Sequence, residues 1–526
     1  ASNKSHRSLS RQGSGAASSG DCPSGGMTFS VSLRFRGLVA AVASLLVVQP
    51  VAAVERLTFT LPLLEESISL DLSQANNARE LIDSNPDLQE LDWAGDGSLQ
   101  KLIESLLTAP LPEESSSIVR QSLGHPLFEQ LLLTVSELVE VKGVPVDTSG
   151  RMVSEALAAA YRDDEPHLLG FLRHVPGDEI SLNLTELAFY AKRLRGNQDD
   201  ARALAQRGTA ARPVASEISD AAQSGWTRSQ RTVAVQHRPQ PLQVTVISPT
   251  GSSNGRLVVI SHGLWDAPSS FEGWGHLLAA HGYSVVLPGH PGSDARQQES
   301  LFKGKQPPPA SEELRLRPMD VSAVIDAVET GSLFSGSSLQ TDSVAVVGHS
   351  WGATAALQLG GLQTTSRKLS TRCQDPRDPD RNLSWILQCS WLKGADQGSM
   401  GDTRVRAAVV VSPPLRLLFD ESSGPSMHAK VLLVSGTRDW VVPSDPEAVV
   451  PLRNGQPLAN GHRIVLASGG DHFNLWAPVD AKEPPVLGPL ILAWINDHLG
   501  ITDSLSFRGG GWGNQRVPLI DVTGQL

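Results

Sequence analysis

An apolar run from Ser343 to Val347 leads directly into Gly348-His349-Ser350-Trp351-Gly352, and a small-residue helix pattern from Ala353 to Leu359 follows at once. A strand, a five-residue turn and a helix in so short a stretch force a sharp turn with strained backbone at its central serine. Glycines two before and two after Ser350 remove the Cβ atoms that would crowd such a turn. The serine hydroxyl is then presented at the carboxyl edge of a sheet, at the positive end of a helix. The alternative is an ordinary connection between a strand and a helix.

The same alternation extends on both sides of the turn. Strands are expected at Arg231 to Gln236, Leu242 to Ile247, Leu257 to Ser261, Ser284 to Leu287, Ser343 to Val347, Val405 to Val411, Lys430 to Ser435 and Arg463 to Leu466. The later ones are continuous Val, Leu and Ile runs, which suits parallel strands buried on both faces, and helices such as Pro318 to Val328 lie between them. Residues 231–500 therefore read as a doubly wound α/β domain with an antiparallel start.

A serine alcohol is a poor nucleophile until a base removes its proton, so a carboxylate and a histidine should follow Ser350 in the chain. Asp439 stands in the turn after Lys430 to Ser435, and His472 in the turn after Arg463 to Leu466. In this reading Ser350 attacks a carbonyl, His472 shuttles the proton, and Asp439 holds the imidazole in its tautomer. Asp471 adjoins His472 and would point away from it. Asp420, after Val405 to Val411, is the competing acid. The oxyanion of the tetrahedral intermediate needs fixed N–H donors. One is expected from the amide of Trp351 and the other from Leu264, in the loop His262-Gly263-Leu264-Trp265, where Gly263 permits close approach and His262 braces the turn.

The preceding residues carry architecture rather than chemistry. Residues 1–26 are rich in Ser and Gly and read as a disordered extension. At Met27 a basic n-region with Arg34 and Arg36 begins, followed by eleven apolar residues from Leu38 to Val48 and small residues at Val51-Ala52-Ala53. That is the order of a secretory signal at 27–53, and spanning a membrane needs ~20 apolar residues, so export with cleavage near Ala53 is expected. Residues 54–195 read as a mainly helical domain after a strand pair, Arg56 to Leu61 and Ser67 to Leu72. Its apolar stripes are Leu99, Leu102, Ile103, Leu106, Leu107 and then Leu127, Leu131, Val135, Leu138, Val139. Shorter helices follow at Arg151 to Tyr161 and Thr185 to Arg195. His125, His167 and His174 are expected to be surface or capping residues. Residues 196–230, without a strong stripe, read as a linker with some helical content, and 501–526 as a C-terminal tail.

Residues 363–404, after the helix that follows Ser350, are too long for a simple connection and sit where a lid would be inserted. The run Asp375-Pro376-Arg377-Asp378-Pro379-Asp380 reads as a solvated loop rather than a calcium site. Cys373 and Cys389 fall in the same insertion, either bridged or as two free thiols. Trp265, Trp351, Trp440 and Trp476 cluster near the motifs, although the chain has only eleven Trp. Trp265, Trp440 and Trp476 would give a pocket mouth suited to acyl or lipid-like groups, or else pack for stability alone.

Composition excludes other classes. Lys and Arg number 44 against 55 Asp and Glu, a net charge of -11, with no basic cluster, so nucleic acid is not an expected partner. Three cysteines at these spacings make neither a disulfide scaffold nor a zinc site, and no metal or cofactor is expected.

The motifs GHSWG, HGLW, GTRDWVVP and GGDHFN, in that order, resemble the α/β-hydrolase superfamily over about 231–500. LLAAHGYSVVLPGHPGSD at 277–294 is similar to its platelet-activating-factor acetylhydrolase and dienelactone hydrolase branch. A dienelactone hydrolase would carry a nucleophilic Cys where this chain has Ser350. HVPGDEISLNL at 174–184 resembles a domain of unknown function found ahead of such hydrolases in cyanobacterial proteins. The expected fold is thus a doubly wound α/β-hydrolase sheet preceded by a smaller, mainly α-helical domain. The expected activity is cleavage of a small-molecule ester or lipid-like substrate through an acyl-enzyme, with transient contact at a membrane surface. A non-catalytic binding protein on the same fold is the alternative, as are an acyltransferase or a peptidase. The partner of the helical domain is left open.

Overall fold

The computed structural model describes residues 53–60, 67–73, 78–83, 86, 98–208, 218, 224–334, 338–455, 458–502, 505–508 and 510–526. Apart from Ala53, the expected extension and signal sequence lie outside these residues.

Strands β1 (Arg56–Thr60) and β2 (Ser67–Asp71) pair antiparallel, as expected, and burial alternates along β2, where Ile68 and Leu70 turn inward. Helix α1 (Ser115–Ser122) is followed by α2 (Pro126–Val135), which starts on a proline whose missing N–H costs nothing there. The apolar spacing carries this second helix on to Val139. Instead it ends at Val135, and Val139 and Val141 take up a period of two in strand β3 (Val139–Lys142). Strand β4 (Glu179–Asn183) runs parallel to β1 and antiparallel to β3, completing a sheet ordered β2-β1-β4-β3. The N-terminal region thus holds two strands beyond the expected pair. Leu57, Leu70, Leu169 and Ile180 lie in its own small core.

Asn183 caps the next helix by accepting the Glu186 amide, and α3 (Leu184–Arg207) runs twelve residues beyond the Arg195 end that the sequence pattern suggests. The helical content expected within 196–230 is thus, over residues 196–207, a continuation of α3. The signal was weak because only one narrow face is buried: Ala201, Leu204 and Ala205 at i, i+3 and i+4. Leu204 and Ala205, together with Leu127 of α2, belong to the same apolar core as the large sheet that follows.

That sheet has ten strands: β5 (Trp226–Val233), β6 (Leu242–Pro249), β7 (Arg256–Ser261), β8 (Ser284–Pro288), β9 (Gln340–His349), β10 (Val405–Val411), β11 (Lys430–Gly436), β12 (Arg463–Ala467), β13 (Trp512–Gly513) and β14 (Pro518–Asp521). Their spatial order is β13-β14-β12-β11-β10-β9-β7-β8-β6-β5. The six from β8 to β12 are parallel, with antiparallel strands at both edges. The residues expected to be a tail return as β13 and β14 and cover the edge of β12. An open edge exposes unpaired N–H and C=O groups, and this pairing satisfies them.

Two faces of the sheet carry separate cores. On one lie α4 (Glu272–Ala280) and, from the far end of the chain, Gly488–Leu499; on the other lie α5 (Glu313–Glu329) and α6 (Trp351–Leu359). Helix α5 contains Pro318, which cannot donate to the carbonyl of Leu314. Gln358 of α6 donates its Nε2 to that carbonyl at 3.0 Å, which joins the two helices. Among the described residues no helix is long and apolar enough to cross a membrane.

Candidate active site

The turn between β9 and α6 places Ser350 at φ 52°, ψ -120°, the left-handed backbone that the flanking glycines were expected to permit. A Cβ on Gly348 would run into the carbonyl of Gly352, and one on Gly352 into that of Ser261. Gly263 also approaches closely: a Cβ there would stand 3.2 Å from that of Ser350.

Asp439 is fully buried just after β11, and its Oδ1 accepts the amides of Val441 at 2.9 Å and Val442 at 2.8 Å. Those two bonds fix the carboxylate, whose other oxygen accepts from His472 Nδ1 at 2.9 Å. His472 is held from behind, where His349 Nε2 donates to its carbonyl at 2.9 Å. Burial, and then the nearby His472, hold the His349 imidazole well below its ordinary pKa, so the supporting ring is neutral. Helix α3 reaches the same turn, with Gln198 donating to the carbonyl of Arg438 at 3.2 Å. Ser350 and His472 line one cleft, although no hydrogen bond joins the hydroxyl to the imidazole. Asp420 instead accepts from the amide and hydroxyl of Ser422, and Asp471 from the amides of Phe473 and Asn474. Both carboxylates serve their own turns.

Trp351 opens the helix that follows the serine, and Leu264 lies in the loop after β7, whose Gly263 faces Ser350. His262 braces its loop, donating from Nδ1 to the Gly263 carbonyl and accepting the His290 amide at Nε2. Beneath lies Arg317, fully buried, which donates to the carbonyls of His262 at 2.6 Å and Gly263 at 2.9 Å and to Ser293. Burial pushes its guanidinium down to about 10, so it remains charged at neutral pH. Next to it, Asp320 accepts from His237, Arg238 and His290, and His290 Nε2 accepts from Ser261 Oγ. Burial would raise the Asp320 carboxyl, but these hydrogen bonds hold it well below the usual range. Nothing in the sequence singled out Arg317 or Asp320, because each lies on a helix among unremarkable neighbours.

The cleft above Ser350 has a volume of about 720 Å³ and is mostly apolar. Trp265 and Trp476 line it, whereas Trp440 does not. With Asp439 turned inward, the next side chain points away; Trp440 is 46% exposed and lies tilted against Phe473, ring centroids 6.1 Å apart. Asp266 also lines the cleft, with Oδ2 buried and unpartnered, and burial pushes its carboxyl up. Cys373 and Cys389 are joined by a disulfide. His167 caps a helix by accepting the Gly170 amide, and His174 meets Asp163, in line with structural roles. Among the described residues no group of three or more His, Cys, Asp or Glu could hold a metal ion.

A doubly wound sheet with a serine on a strained strand-to-helix turn, and a carboxylate and histidine on later strand ends, defines a hydrolase-type fold. Comparison with known families agrees: residues 257–518 match the alpha/beta hydrolase family, and residues 53–183 match an alpha/beta hydrolase of unknown function (DUF1400). The chain belongs to the alpha/beta hydrolases. No curated protein matches it.

Proposed function

We propose that the protein is a serine hydrolase of carboxylic esters, with Ser350 as nucleophile, His472 as general base and then acid, and Asp439 as the group that orients and stabilises the imidazolium. The observation that carries this reading is the bond from His472 to a carboxylate pinned by two amides, above the same cleft that Ser350 enters. In the forward half-reaction Ser350 Oγ adds to the ester carbonyl while His472 Nε2 takes its proton. The amides of Leu264 and Trp351 receive the oxyanion, and collapse expels the alcohol, protonated by His472. Water repeats the sequence on the acyl-enzyme and releases the acid.

The apolar lining supports an acyl or lipid-like substrate, and the likeness of residues 277–294 to the platelet-activating-factor acetylhydrolase branch supports a small ester. Phe302, Leu383 and Phe473 line the cleft and are exposed, which supports brief contact with a lipid surface. Export with cleavage near Ala53 is part of the same reading, and the disulfide supports it, since such bonds persist in oxidising compartments. The test is labelling by a fluorophosphonate together with hydrolysis of p-nitrophenyl esters. Both should occur in the wild type and vanish in Ser350→Ala. Folded wild-type protein that neither labels nor hydrolyses any ester overturns the proposal.

A further inference from the structure

We infer that the N-terminal region is the outer wall of the acyl pocket, and that Phe128 and Leu131 of α2, with Ile118 of α1, set which acyl groups reach Ser350. This rests on the ester-hydrolase reading and assigns a role to the region that lies outside the large sheet.

The cleft is built from both parts of the chain. Ile118, Leu127, Phe128 and Leu131 face it from α1 and α2, while Ser350 and His472 stand at its base. The remaining wall comes from Leu383, Ile386 and Leu387, at and within α7 (Ser384–Ser390), the helix against which α2 packs. The insertion that carries α7 is not free of the N-terminal region. Arg377 meets Glu137 at 3.1 Å, Arg381 donates to Gln130 at 3.2 Å, and Arg193 donates to the carbonyls of Asp378 and Arg381. Tyr190 donates to the carbonyl of Pro376 at 3.3 Å. The disulfide ties the same segment to α7 at Cys389. The segment expected to act as a lid is therefore held from the N-terminal side, and both helices of the seam present apolar side chains to the substrate space.

Such a wall offers no hydrogen bonds from its leucines, isoleucine and phenylalanine, so it selects by volume and by apolar area covered. Each methylene seated against it is worth about threefold to fourfold in kcat/KM. Leu131 is 44% exposed at the mouth, the position where a larger side chain would close the cleft without disturbing a packed core. The favoured occupant is an unbranched acyl chain longer than acetyl.

The experiment uses the full chain with p-nitrophenyl acetate, butyrate and octanoate, alongside the labelling rate of a small fluorophosphonate. Leu131→Trp should lower the octanoate-to-acetate ratio of kcat/KM at least tenfold, and Phe128→Ala should raise it. Labelling should persist in each variant, so that the octanoate-to-acetate ratio, and not the presence of a reactive Ser350, reports the change. Ile118→Trp, on the other helix, should lower the ratio as Leu131→Trp does, and it replaces any variant that loses its near-ultraviolet circular dichroism. An unchanged ratio in folded variants that still label overturns the wall while leaving the esterase intact. A wild type that neither labels nor cleaves esters overturns the underlying reading, and the wall falls with it.

Discussion

The guanidinium of Arg317 lies 4.6 Å from the ring centroid of Trp351, while its Nη atoms hold the carbonyls of His262 and Gly263. One buried cation thus grips both segments expected to supply oxyanion donors, without a carboxylate in hydrogen-bond contact. Charged groups stay buried at such cost only where several acceptors meet them, and here the acceptors are backbone. Lysine has a single ammonium and cannot span two carbonyls and a ring face. Arg317→Lys should lower kcat by about a hundredfold with KM little changed, since a shift of ~1 Å in the donors is enough. Steady-state kinetics on folded protein decide this, and an unchanged kcat would remove Arg317 from the positioning machinery.

The two carboxylates considered for the acid separate cleanly in a mutational comparison. Asp439 is bonded to His472, whereas Asp420 caps its own turn with Ser422. Asp439→Asn should cost roughly 10⁴ in kcat, because the amide favours the wrong imidazole tautomer. Asp420→Asn should leave kcat as in wild type. The reverse result would reassign the acid.

Asp320 joins β-sheet loops to α5 by accepting from His237, Arg238 and His290. Its folded pKa is depressed, so its contribution is present above the unfolded aspartate range and is lost as pH falls through the folded value. Asp320→Asn leaves buried donors without their charge partner and should destabilise by about 3–5 kcal/mol. Denaturant titration at neutral pH measures it.

Asp266 works in the opposite direction. Burial raises its folded pKa, so as pH climbs through the ordinary aspartate range the unfolded chain ionises first and stability falls until the folded carboxyl also ionises. Asp266→Asn keeps an acceptor for Ser270 and the Ala267 amide but removes the charge. Its melting temperature relative to wild type should rise as pH climbs above the ordinary aspartate range and level off once the folded carboxyl ionises. A difference that stays flat or falls would contradict this.

The disulfide closes a loop with a sequence separation of 16, for which chain entropy predicts ~3 kcal/mol. Replacing Cys373 and Cys389 together by Ser should lower the unfolding midpoint accordingly, as should reduction of the wild type. Thermal unfolding with and without reductant reads both.

The catalytic half was legible because its chemistry lies in short local patterns. Strand runs of Val and Leu, glycines around Ser350, and acid and histidine in turns after strands are all properties of neighbours in sequence. Asp439 and His472 come into contact through the parallel pairing of β11 and β12, which the run of buried strands already implied. The weak places were those where partners are distant. The second half of α3 read as linker with some helical content because its buried face is short and docks on a core formed by residues from elsewhere. Strands β13 and β14 looked like tail because two-residue and four-residue strands exist only when β12 offers an edge.

By itself, then, the amino-acid sequence determined the sheet, the serine turn and the order of the residues around it, since backbone geometry and local periodicity act over a few residues. Only the tertiary structure decided that Arg317 underlies the oxyanion loop, that Trp440 turns outward, and that α1 and α2 close the cleft over Ser350. Those relations depend on which side chains meet after long segments of chain are folded together, and no local pattern encodes such a meeting.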